Sequence, residues 1–71
     1  MDWARIQANW KHFKASARAR WEMITLDELD MIGGRRELLT GHIEDVYGIP
    51  RAKAQAQVEA WRGEQREPAA A

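Results

Sequence analysis

The side chains with the widest chemical repertoire are His12, His42, Ser16 and the acidic group Asp27, Glu28 and Asp30. The two histidines are 30 residues apart, and neither has a second histidine or a carboxylate at metal-ligand spacing. The H-E-x-x-H pattern is absent, and a structural zinc site needs four ligands. His12 falls off the apolar stripe of its helix and reads as a surface residue. His42 adjoins Ile43 and reads as half-buried, with no charge partner visible in the sequence that would make it a pH switch. The acidic group lacks the D-x-[DN]-x-[DN]-G spacing of a calcium loop. A capping role and a solvated face explain it better than acid–base work, which needs a sheltering cleft. Ser16 has no histidine or lysine near it in an elbow motif, so nucleophilic catalysis has no support. No catalytic residue, metal or cofactor is expected.

The sharpest local signal is Gly33-Gly34-Arg35-Arg36. A glycine turn opening a helix brings free N–H groups, the positive helix end and two guanidinium groups together, which is the chemistry of an anion or partner site. The competing and favoured interpretation is a tight interhelical turn followed by solvated arginines, because a two-glycine turn is a weak motif by itself.

The elements that must position these residues are helical. Across residues 3–24, Trp3, Ile6, Trp10, Phe13, Ala17 and Trp21 recur at steps of three and four and fall in an apolar stripe of roughly 80°. This spacing predicts one long helix, with Asp2 as a side-chain N-cap. Thr25-Leu26-Asp27-Glu28 fits the capping box, so a short helix starts at Leu26, buries Leu29 and Ile32, and stops at Gly33-Gly34. A third helix spans residues 35–47, with Leu38, Leu39, Ile43, Val46 and Tyr47 on one face. Gly41 inside it predicts a close helix–helix approach, and Gly48 closes it, with Ile49 as the apolar contact beyond. Pro50 opens the last helix; Ala54, Val58 and Trp61 face inward, and Pro68 ends it. The expected core is Trp3, Ile6, Trp10, Phe13, Trp21, Leu29, Ile32, Leu39, Ile43, Val46, Val58 and Trp61. Residues 2–66 form a single domain, and residues 67–71 a disordered tail.

With 71 residues and no cysteine, the chain relies on packed helices rather than disulfide or metal staples. No apolar run approaches the roughly 20 residues that span a bilayer, and no secretory signal is read at the N-terminus, so a cytoplasmic location is expected. The Trp-rich basic first helix has the composition of a membrane-surface helix, but a stripe at this spacing is better used as core. Eleven basic and eleven acidic residues cancel. They are not evenly spread: residues 1–21 carry net +4, residues 22–47 net −5 and residues 48–71 net +1. Neutrality argues against a dedicated nucleic-acid binder. The segregation places the basic first helix beside acidic neighbours within the fold.

The order Trp3…Ile6…Asn9-Trp10-Lys11…Phe13-Lys14, Trp21, Leu26…Leu29…Ile32-Gly33-Gly34-Arg35, Leu38-Leu39-Thr40-Gly41 and Tyr47-Gly48-Ile49 resembles the CsbD-like family of small bacterial general stress proteins. The similarity covers residues 2–61. Ala8 stands where that family usually has Gly, and His42 where it usually has Lys. The resemblance implies a cytoplasmic stress protein and an all-α compact bundle of four helices, with two crosswise-packed α-hairpins as one arrangement. It brings no catalytic residues with it. The expected function is therefore a non-enzymatic stress-response protein acting by interaction or protection, with a protein partner favoured and a monomer or weak homo-oligomer as its state. The alternative is a nucleic-acid accessory module using Gly33 to Arg36 and the basic face of the first helix.

Overall fold

A computed structural model describes residues 1–66, and its helices are α1 (Trp3–Ala8), α2 (Trp10–Arg20), α3 (Leu26–Ile32), α4 (Arg36–Tyr47) and α5 (Arg51–Glu64). The described residues are all helix, turn and loop. The expected helix over residues 3–24 is interrupted at Asn9, which makes five helices rather than four. Asn9 sits at φ −114° and ψ 32°, and its Nδ2 donates to the Arg5 carbonyl at 2.8 Å. That carbonyl also accepts the Asn9 backbone N–H at 3.0 Å. A short amide side chain competing for an i−4 carbonyl is a recognised source of helix distortion. The apolar stripe runs on across the break, since Ile6, Trp10, Phe13 and Ala17 are all buried.

The second correction is the end of that segment. It stops at Arg20, four residues before Ile24, because the chain must turn to bring α3 back alongside α2. That return is fixed by Trp10 Nε1, which donates to the Leu29 carbonyl at 2.8 Å, and by the Lys14–Asp30 ion pair. The ion pair realises the expected juxtaposition of basic helix and acidic neighbour. Asp2 occupies the N-cap position of α1, but its carboxylate makes no capping bond.

At α3 the capping box is complete. Thr25 Oγ1 accepts from Glu28 N at 3.1 Å, and Glu28 Oε1 accepts from Thr25 N at 3.1 Å. Thr25→Ala is expected to lower unfolding stability by about 1 kcal/mol, with a smaller loss for Glu28→Ala. Denaturant melts of the two single variants and the double variant check this. A double variant no worse than Thr25→Ala supports reciprocity, and additive losses oppose it.

α4 and α5 form the most extensively packed helix pair. Gly48, at φ 62°, closes α4 in the left-handed conformation, and half-buried Ile49 packs on the core beyond it. Pro50 is the residue before α5 rather than its first turn. The close approach expected at Gly41 is absent: a Cβ there meets nothing within 4 Å. Gly41→Ala is therefore expected to stabilise the protein by about 0.5–1 kcal/mol, through helix propensity and a less free unfolded chain, read as a raised thermal midpoint.

The core is one cluster: Ile6, Trp10, Phe13, Ala17, Trp21, Ile24, Leu29, Ile32, Leu39, Ile43, Ala54, Val58 and Trp61. Trp3 and Val46, expected inside, are half-buried at its margin, and Leu38 is 41% exposed. Ile24 enters the core because the chain turns at Trp21. The indole of Trp61 lies 5.9 Å from that of Trp3, 6.3 Å from Trp10 and 5.6 Å from Trp21, edge-on or tilted. Such contacts add to the area that rings of this size bury. The tail expected at residues 67–71, including Pro68, lies outside the described residues; α5 ends before it, at Glu64.

Candidate functional site

The Gly33–Arg36 turn is built from the α3 C-terminus upward. Gly33 takes φ 61° and its N–H returns to the Leu29 carbonyl at 3.1 Å. Gly34, at φ 79°, is buried, and a Cβ there would stand 2.9 Å from Gln7 Cα and 3.3 Å from Trp10 Cβ. The close backbone approach in this fold is therefore at Gly34, against α1 and α2. The Gly34 carbonyl accepts from Trp3 Nε1 at 2.9 Å, so the turn is clamped from outside as well.

Arg35 precedes α4 and is exposed. Arg36, its neighbour, is committed elsewhere: its guanidinium pairs with Glu59 of α5 and lies 6.0 Å from the Trp3 ring centre. Glu59 also accepts from Arg62 Nε at 2.7 Å, and Arg62 Nη1 donates to the Met1 carbonyl at 2.8 Å. The hydrogen bonds from Arg62 and Arg36 hold the Glu59 carboxyl below its ordinary range. The four sequence-predicted residues thus stay adjacent, but Arg36, though partly exposed, ties α4 to α5 through Glu59.

The histidines separate as their helices dictate. His12 is exposed, and its ring meets Phe13 edge-on. His42 is half-buried, and the charge partner invisible in the sequence is Glu28: the two side chains approach at 3.6 Å across α3 and α4. His42 Nδ1 faces the Leu38 carbonyl at 3.2 Å. Glu28 is held below the ordinary carboxylate range, first by its bonds to the Thr25 backbone and hydroxyl and, less, by His42. No sequence signal links residues 28 and 42; only the helix pairing does.

Ser16 Oγ accepts from Trp61 Nε1 at 3.2 Å and donates to Gln65 Oε1 at 3.0 Å, so its hydroxyl is a core strut. Trp21 Nε1 likewise donates to Gln57 Oε1 at 3.0 Å. Every one of the four indole N–H groups therefore bonds another helix or turn, and no buried side-chain polar atom among the described residues lacks a partner. Among the described residues no group of three or more His, Asp or Glu is arranged to hold a metal, and no helix is long and apolar enough to cross a membrane.

Against known proteins, no family profile and no solved structure matches the chain. Curated bacterial proteins do. A UPF0337 protein of Nitrosomonas europaea is 43% identical over 61 residues, which cover 86% of this chain and 65% of the relative. A UPF0337 protein of Rhodopseudomonas palustris is 39% identical over 61 residues, 86% of this chain and 92% of its own. One from Agrobacterium fabrum is 38% identical over 65 residues, 92% and 97% of the two chains. The chain thus spans just under two thirds of the Nitrosomonas protein but nearly all of the other two. At 38–43% identity over most of its length, the chain belongs to the UPF0337, or CsbD-like, family.

Proposed function

We propose that this chain is a non-enzymatic bacterial general stress-response protein that works in the cytoplasm by contact with other macromolecules or by protecting them. The observation that supports the reading is the use made of its reactive side chains. Ser16, Glu28, Arg36 and Glu59 are each engaged in a bond between helices or in a cap, so their chemistry serves the scaffold. What remains for partners is surface. The test is to follow the protein's level through entry into stationary phase and under osmotic or heat stress, and to identify what co-purifies with it. A level that rises with stress, together with a specific macromolecular partner, upholds the reading. A constant level, or a purified protein that turns over a small substrate, overturns it.

The nucleic-acid alternative has one feature in its favour: Lys11 and Arg18 share the exposed face of α2. Against it stand a net charge of zero and the commitment of Arg36 to Glu59. Binding to duplex DNA at physiological salt is expected to be weaker than the roughly 10⁻⁴–10⁻⁶ M of ordinary non-specific binders. A salt titration of wild type beside Arg35→Ala/Arg36→Ala checks this. Micromolar binding whose salt slope falls by about two in the variant would make the turn a phosphate site.

A further inference from the structure

The segregation of charge seen in the sequence becomes two separate faces in the fold. On α2, the exposed sector opposite Trp10, Phe13 and Ala17 carries Lys11, Ala15, Arg18 and Ala19, with His12 beside it. Among the described residues neither Lys11 nor Arg18 makes an ion pair, though Arg18 Nε donates to the Glu22 carbonyl at 3.3 Å. On α4, Glu37, Gly41 and Asp45 recur every four residues along the outward side, with Leu38 alongside. On α3, Asp27 and Met31 are likewise four apart and exposed. The Glu28–His42 approach sets how α3 and α4 align, and one turn nearer the glycine turn come Met31, 76% exposed, and Leu38, 41% exposed. Asp27, Glu37 and Asp45 also make no ion pair among the described residues; Arg35 is exposed at the border of this face, and Glu44 beside it is paired with Arg51 of α5 at 3.5 Å.

Three features of the acidic face have no use inside the chain. Large apolar side chains stand in water at Leu38 and Met31. Gly41 weakens its own helix while nothing approaches it. Unpaired carboxylates surround both. The α2 face is complementary on each count: basic where this one is acidic, and flattened by Ala15 and Ala19 where the other has Gly41 between larger side chains. Small residues on both helices allow their axes to approach at the short end of the usual 8–10 Å.

We propose that the acidic α3–α4 face of one copy docks on the basic α2 face of a second copy. The two faces differ and lie on different helices, so the contact is head-to-tail and leaves a free face at each end; association runs on to short chains rather than stopping at a dimer. A net charge of zero removes the long-range repulsion that keeps charged proteins apart. One helix crossing covers less than the roughly 800 Å² per partner of a stable complex, so association is weak and concentration-dependent. Charge pairs at its rim make it salt-sensitive. The inference does not depend on the stress-response reading.

The test is sedimentation velocity over a wide concentration range at low and high salt, with the helical circular dichroism and thermal midpoint of each variant checked against wild type. Wild type is expected to show an average mass that rises with concentration and falls back in high salt. Lys11→Glu/Arg18→Glu presents two acidic faces and Glu37→Lys/Asp45→Lys two basic ones, so each alone stays monomeric and an equimolar mixture associates again. Gly41→Gln, which adds bulk without charge where there is room for it, weakens wild-type association. A wild type that stays monomeric throughout, or association that persists in both charge-reversed variants alone, overturns the proposal. So does a monomeric wild type whose Leu38 and Asp45 amide signals shift on adding a cationic amphipathic helical peptide, because the acidic face then serves a different protein.

Discussion

Trp10→Ala is expected to remove about 3–5 kcal/mol of unfolding stability, as truncations of buried aromatic residues do. The ring is 7% exposed, meets Trp61 edge-on and ties α2 to α3 through its N–H. Most of the loss comes from the cavity. The Leu29 carbonyl left behind still accepts the Gly33 N–H, so the missing hydrogen bond costs only about 1 kcal/mol. Trp10→Phe separates the two terms, since it keeps a ring in the site and forfeits the bond. At about 4–8 °C per kcal/mol for a domain this size, the alanine variant melts lower by tens of degrees, and thermal denaturation followed by circular dichroism reads it directly. Against a total of about 5–15 kcal/mol for a domain, such a loss brings the protein close to unfolding. An alanine variant within about 1 kcal/mol of wild type would mean that Trp10 is not part of the working core.

Gly34→Ala is expected to cost about 3 kcal/mol, from a left-handed backbone worth about 1–2 and a steric overlap worth about 1–3. The overlap is with backbone: the new methyl would lie 2.9 Å from Gln7 Cα, which no side-chain rotation relieves. Gly33→Ala is the internal comparison. It meets the same left-handed penalty at φ 61°, but its nearest neighbour is the Asp30 carbonyl at an ordinary 3.8 Å, so a loss of about 1–2 kcal/mol is expected. Equal losses at the two positions in denaturant melts would show that the contact between the turn and α1–α2 is not tight. Because Trp3 donates to the Gly34 carbonyl, the larger loss at Gly34 should come with greater solvent exposure of Trp3, visible as a red shift in its fluorescence.

Local signals carried much of the fold. Thr25-Leu26-Asp27-Glu28 specifies its own cap, because both partners lie within one turn and need no third element. Gly33 and Gly48 stop their helices for a reason equally local, the freedom of glycine to take positive φ. The 3.6-residue periodicity of Trp10, Phe13, Ala17, Val58 and Trp61 determines which side of each helix is buried, whatever it is buried against. Periodicity did not reveal the break at Asn9, since a local side-chain bond perturbs a helix without changing which residues are apolar.

The candidate site was less legible. Gly33 to Arg36 can be read as a turn before a helix, but that Arg36 is held by Glu59, 23 residues on, and that Gly34 is the close contact while Gly41 has open space beside it, follow only from how α4 sits on α5 and the turn on α1 and α2. The pairing of His42 with Glu28 has the same origin. By itself the sequence determined the helical class, most of the inward faces, the Thr25 cap and the stops at Gly33 and Gly48, all consequences of interactions within a few residues along one helix. Tertiary structure decided which polar side chains became struts and which were left for solvent and partners, because bonds between residues distant in the chain depend on the angle and register at which helices meet.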